Sequence, residues 1–138
     1  MNKPSTLITD LAILDWLKQH DLSKPAGMLN LLKFRPQAAY SADSGEPPCT
    51  GAEAYRRYGA LATAILAPMG ARVILTGAVW LIGPESEWDS AFVVRYERAS
   101  DLINMASDPA YLSIVHHRTA ALADSRLLMM EFDGRGLS

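Results

Sequence analysis

The chain is poor in the residues and patterns that announce a chemistry. It has one cysteine, Cys49, so it forms no internal disulfide, and no further thiol stands at metal-ligand spacing. A lone thiol suits a reducing compartment. An excess of charge of one sign is also missing: 13 Lys and Arg against 15 Asp and Glu leave a formal net charge of −2. Such a chain has no field with which to gather a polyanion, which argues against nucleic acid as a partner. No apolar run approaches the roughly 18 residues of a membrane span. Residues 1–9 hold one lysine but neither the apolar run nor the cleavage site of a secretory signal. The expectation is a cytoplasmic protein with no membrane partner. No Gly-x-Ser-x-Gly elbow, phosphate-cradling Gly-x-x-x-x-Gly-Lys or helix-opening Gly-x-Gly-x-x-Gly is present, so the familiar nucleophile and nucleotide sites are missing and no cofactor is expected.

What is present is ordinary globular material: 138 residues, 49% apolar and 20% charged. That length fits one domain, residues 1–138, able to bury a core without a metal or disulfide staple. Apolar spacing predicts a helix over 9–20, ended by Lys24-Pro25-Ala26-Gly27. Alternation predicts a strand over 28–35, with Met28, Asn30, Leu32 and Phe34 on one face. Residues 37–50 crowd Ser, Asp, Gly and Pro into a stretch that cannot bury a face. So long a loop is expected to be either mobile or a lid. Residues 51–69 read as the clearest helix, stopped by Gly70. Strands over 71–82 and 88–97, joined by a short turn at 83–87, predict an antiparallel hairpin. A short helix over 99–106 follows, then a second over 110–122 opened by Asp108-Pro109. A strand over 124–132 closes the pattern, and 133–138 form a frayed tail.

After the extra N-terminal helix, the order is strand–helix–strand–strand–helix–strand. That is the ferredoxin-like βαββαβ order, an α+β fold with an antiparallel sheet. Its helices cover one sheet face. The other carries large apolar groups from several strands, and a patch of that kind needs a partner. The economical solution is a twofold homodimer formed through the open sheet face.

The residues that invite a functional reading lie mostly in the last third. His116 and His117 are catalytic candidates because imidazole titrates near neutral pH. Adjacent helical positions point about 100° apart, so the two rings are not expected to face one point. A metal would want His at i and i+4 with a carboxylate, so no metal site is expected. Arg118 offers a planar fork for a carboxylate. Its structural alternative is an ion pair with Asp124 or Asp108. Tyr55, Tyr58, Trp88, Tyr96 and Tyr111 suggest an aromatic layer between sheet and helices, core packing being the plainer reading. Asn30, an amide on an apolar strand, needs partners and often finds them in a pocket. Asn30, Tyr58, Trp88, Tyr96 and Arg118 are therefore the candidate ligand-binding residues. Lys33 is expected on the surface or paired with Glu97 or Glu131. Cys49 has no evident base beside it.

Several segments together resemble the DUF1330 family of small bacterial proteins. They are Met28-Leu29-Asn30-Leu31-Leu32-Lys33-Phe34, Tyr55-Arg56-Arg57-Tyr58-Gly59, Gly70-Ala71-Arg72-Val73 and Trp88-Asp89. Asp108-Pro109-Ala110-Tyr111, Arg118-Thr119-Ala120-Ala121-Leu122 and Asp124-Ser125-Arg126-Leu127-Leu128 complete the set. The resemblance covers about residues 27–132. It implies a dimeric α+β barrel, the superfamily that includes small antibiotic-biosynthesis-type monooxygenases, and it implies no activity. Two functional expectations follow. One is a homodimer binding a small molecule between sheet and helices. The other is a cofactor-independent enzyme, monooxygenase- or isomerase-like, acting on a small aromatic or acidic metabolite. In the enzyme, Arg118 would hold the anion and one of His116 and His117 would move a proton.

Overall fold

The computed structural model describes residues 19–132. The elements are β1 (Ala26–Phe34), α1 (Gly51–Leu66), β2 (Arg72–Leu75), β3 (Ser90–Tyr96), α2 (Ser100–Ala106), α3 (Pro109–Leu112), α4 (Val115–Ala121) and β4 (Leu122–Glu131). The strands form one antiparallel sheet in the order β2-β3-β1-β4. This is the ferredoxin-like arrangement expected from the element order. The helix expected over 9–20 lies outside the described residues except for its last two positions, which form a turn and a bend.

Alternation along β1 sets the two faces of the sheet. Ala26, Met28 and Leu32 are buried, and they meet the helical layer in two clusters. Ala26 and Met28 pack with Val94, Tyr96 and Ala99; Leu32 packs with Ala54, Ala121 and Leu122. A third cluster joins the helices to one another through Tyr58, Ala62, Met105, Tyr111 and Ile114. The opposite positions therefore turn outward. Leu29 pairs with Val93 and with Leu128, and Gly27 with Met130. A Cβ on Gly27 would meet Val93 at 3.2 Å and the Phe132 ring at 3.5 Å, so Phe132 folds back over this same face. Leu75, Leu128, Met130 and Phe132 remain exposed there.

Local chemistry explains the helix boundaries. Thr50 caps α1 by accepting from the Glu53 amide at 3.1 Å, and the Glu53 carboxylate accepts from the Thr50 amide at 2.9 Å. After α1, a 3₁₀ turn at Ala67–Met69 ends on Gly70, whose φ of 76° is left-handed and open to glycine. Asp108 caps α3 through the Ala110 amide at 2.8 Å, with Pro109 in the first turn, as the Asp-Pro pair predicts.

Four expectations need correction. The helix predicted over 110–122 is two helices. Ser113 and Ile114 interrupt it with tighter bonds, the Ile114 amide donating to Tyr111 O and the His117 amide to Ile114 O. The strand predicted over 71–82 stops at Leu75. Gly77, at φ 75°, turns the chain off the sheet, leaving Val79, Leu81 and Ile82 78%, 90% and 92% exposed. The short hairpin turn is thus a long connection over 76–89. Lys33 pairs with neither Glu97 nor Glu131. Its ammonium donates to Ser86 O at 2.7 Å and lies 3.3 Å from Asp89, which also accepts from the Phe34 amide. Finally, Trp88 precedes β3 and stands under the Arg126 guanidinium, 5.1 Å from its ring centre.

Candidate functional site

The loop over 35–50 is tied to the end of α4. The Arg35 amide donates to Ala121 O at 2.8 Å and the Ala39 amide to Ala120 O at 2.9 Å. Ala38 donates to Cys49 O at 2.9 Å, closing the loop on itself. Gly51 then donates to Arg35 O at 3.0 Å where the loop enters α1. A side chain does not fit at that crossing, because a Cβ on Gly51 would stand 2.6 Å from Ala121 O and closer still to Arg35 O. The polar composition that made this stretch look unanchored thus belongs to a strap pinned by its backbone.

The strap carries two groups to the start of α4. Glu46 Oε2 lies 3.1 Å from His116 Nε2 and 3.7 Å from His117 Nε2. The Tyr40 hydroxyl is 2.6 Å from His117 Nδ1, and Arg57 Nη1 donates to that hydroxyl at 3.4 Å and to Pro47 O at 3.3 Å. The two imidazoles are stacked, with centres 4.0 Å apart and planes inclined by 36°. This corrects the expectation that neighbouring helical positions keep the rings apart. The Cα–Cβ directions diverge, but the rings lean together over a carboxylate supplied from 70 residues away.

His117 is buried, while the His116 side chain is 45% exposed. Burial pushes the His117 imidazole below its ordinary pKa, helped by the neighbouring His116 and Arg57 and opposed by Glu46. The hydrogen bond from His116, with the charges of His117, His116 and Arg57, holds the Glu46 carboxyl below its usual range. The arrangement is a carboxylate facing two imidazoles, with a phenol behind one of them.

The five candidate ligand residues do not form one group. Tyr58 and Tyr111 share a buried hydroxyl–hydroxyl bond of 2.8 Å with edge-on rings. Tyr55 contacts Tyr58, Phe34 and Phe92. Burial raises its phenol to about 12, and Arg118 pulls in the other direction. Arg118 is itself buried and donates to Ser125 Oγ at 3.3 Å. Its charge also works against the burial-driven rise of the Tyr58 phenol. Asn30 is half-buried on the inward face and donates to Met28 O at 3.1 Å. Asn30, Tyr58 and Arg118 therefore belong to the layer between sheet and helices. Tyr96 lies in the adjoining sheet–helix core, and Trp88 stands apart with Arg126. Arg118 reaches β4 while His116 and His117 reach the strap, so the three consecutive candidates do not converge. Asp124, offered as an ion partner for Arg118, pairs with Arg126 at 2.6 Å.

No sequence motif marks Glu46 or Tyr40. Tyr40, an aromatic in a polar loop, was the one signal available. A separate cleft of about 240 Å³ is lined by Gly77, Trp80, Asp89 and Ser90 and shares no residue with the strap site.

The chain matches the domain of unknown function DUF1330 over residues 48–132, and it belongs to that family. It is similar to RPA0582 from Rhodopseudomonas palustris, a protein of unknown function, with 34% identity and a TM-score of 0.79. That match covers 93% of this chain and 97% of the other. A structure of methylated RPA0582 gives 34% identity and a TM-score of 0.80, over 97% of this chain and 99% of that one. A protein of unknown function from Bacteroides fragilis NCTC 9343, described as dimeric and ferredoxin-like, shares the fold at 13% identity. Its TM-score is 0.50, over 78% of this chain and 96% of that one. No curated protein matches the chain. Among the described residues, no helix is long and apolar enough to cross a membrane.

Proposed function

We propose that this DUF1330 chain works as a twofold homodimer whose open sheet faces meet, each protomer binding a small molecule between its sheet and helices. The observation that carries the reading is the outward row on the sheet. Leu75, Leu128, Met130 and Phe132 are exposed on one continuous surface with Leu29, Leu31 and Val93. A patch of that composition is stabilised by being covered, and a twofold axis lets one surface cover itself. Val79, Leu81 and Ile82, beyond the end of β2, are further exposed apolar side chains.

The ligand reading rests on the inner layer. A buried guanidinium acting on the Tyr55 and Tyr58 hydroxyls, with the Asn30 amide on the facing strand, fits an acidic and partly aromatic molecule. Arg118 would grip its carboxylate, Asn30 would orient it and the tyrosines would form the wall. His116 and His117 face the strap, so binding is preferred here over the enzymatic alternative. With one thiol and no second cysteine, the protein fits the reducing cytoplasm.

Native mass spectrometry of freshly purified protein tests both parts. The expected result is a dimer mass with a retained small molecule, lost from an Arg118→Gln variant. A folded, monodisperse monomer at micromolar concentration would overturn the dimer. A dimer with no retained molecule in either protein would overturn the ligand.

A further inference from the structure

We propose that Glu46, His116 and His117 form a binding site for a divalent transition-metal ion, with zinc as the best match. The proposal is independent of the dimer and of the molecule bound beside Arg118.

The donor set is right for such an ion. Two borderline imidazole nitrogens with one carboxylate oxygen are a ligand set that zinc takes in open sites. Their ligand atoms lie within 4.8 Å of one another. Tetrahedral zinc with bonds of about 2.0–2.1 Å requires donors roughly 3.3 Å apart. The two distances from Glu46 Oε2, 3.1 Å and 3.7 Å, fall on either side of that separation. The separation of the two imidazole nitrogens is at most 4.8 Å, so closing the site requires the two rings to turn towards Glu46.

The surroundings look like an outer shell. Metal-bound histidines nearly always use their second ring nitrogen in a hydrogen bond that fixes the ring. The Tyr40 hydroxyl, 2.6 Å from His117 Nδ1, is in position to do so. In the metal-bound form Nδ1–H donates to the phenol oxygen, leaving the Nε2 lone pair directed at the ion. Arg57 holds the phenol from the other side and secures the strap through Pro47 O. The exposure of His116 gives the ion an entry path. Three protein ligands leave a fourth position for water, which is the open arrangement of a reactive rather than a purely structural zinc site.

One feature works against affinity. Arg57 is close enough for its charge to act on both Glu46 and His117, and it repels a dication. Micromolar rather than nanomolar binding is therefore expected. Because the ligands come from the strap and from α4, an ion would also lock the strap to the helix.

The test is a Zn²⁺ titration of tag-free, chelator-treated protein against a chromophoric competitor, with Co²⁺ absorption as a second readout of coordination number. One ion per protomer is expected at micromolar affinity, with a four-coordinate cobalt spectrum. His116→Ala and Glu46→Gln should each weaken binding by more than about tenfold, and Tyr40→Phe by roughly tenfold. His116 is exposed, so its replacement spares the fold, and circular dichroism checks this. Cys49→Ser should bind as wild type. Absence of saturable one-to-one binding overturns the site, as does binding that His116→Ala and Glu46→Gln both leave intact.

Discussion

Leu128 is the position at which the sheet-to-sheet dimer is most directly tested. It sits opposite Leu29 on the open face and keeps 46% of its surface exposed in the protomer. Full burial of a leucine side chain is worth about 1.5–3 kcal/mol. Roughly half of that, about 1 kcal/mol, is left for a partner to gain. A twofold interface contains the residue twice. Leu128→Ala is therefore expected to weaken the dimer by about 2 kcal/mol, a rise of roughly 30-fold in its dissociation constant. Sedimentation over a wide concentration range measures this. Leu112 is the matched control, a leucine 49% exposed on α3 in the helical layer. Leu112→Ala removes the same atoms from a face the dimer does not use, so its dissociation constant should stay at the wild-type value. Equal weakening by both variants, or none by Leu128→Ala, would refute the placement of the interface.

Two other perturbations probe the protomer itself. Gly51→Ala should destabilise it by about 2 kcal/mol or more in urea unfolding, because the clash is with backbone of both the strap and α4; an unchanged midpoint would show that the crossing has room for a side chain. Alkali should destabilise the fold through Tyr55, held at about 12, and through Tyr58 and Tyr96, raised further by burial. The folded state keeps protons that the unfolded chain loses near pH 10, so this contribution is complete below about pH 10 and is lost as the pH climbs towards the folded values. Urea midpoints should fall as the pH rises from about 10 towards 12, while phenolate absorbance rises only with unfolding. Tyrosine ionisation that runs ahead of unfolding would contradict the burial.

Periodic features were readable in the chain, and contacts between distant segments were not. Met28, Leu32, Phe92, Val94 and Tyr96 fall on the inward face because a strand alternates, and alternation is local information. The caps at Asp108 and Gly70 are local too, each decided within a few residues. The apolar run over 78–82 shows how that reasoning fails. Val79, Trp80, Leu81 and Ile82 have strand-forming side chains, yet a strand needs a neighbour, and Gly77 directs them away from β3. Their hydrophobicity is real information about a surface that one protomer does not cover. Misreading it as an internal strand and predicting a partner for the sheet are two answers to the same excess of apolar residues.

The strap fails the local reading in the opposite way. Ser, Asp, Gly and Pro between 41 and 48 signal a loop without a face to bury, and that much is correct. Its path is set elsewhere, by the carbonyls of Ala120 and Ala121 and by the one crossing where a side chain does not fit. Those constraints bring Glu46 to His116 and Tyr40 to His117, pairs separated by 70 and 77 residues. Helical geometry alone set the two histidines about 100° apart, which is right for their Cβ atoms. A carboxylate arriving from outside the helix is what draws both rings to one point. The candidate site is thus a product of the strap, and weakening its anchorage at Gly51 should loosen metal binding as well as the fold. Gly51→Ala protein that remains folded but binds Zn²⁺ like wild type would separate the two and show that the strap's path does not govern the site.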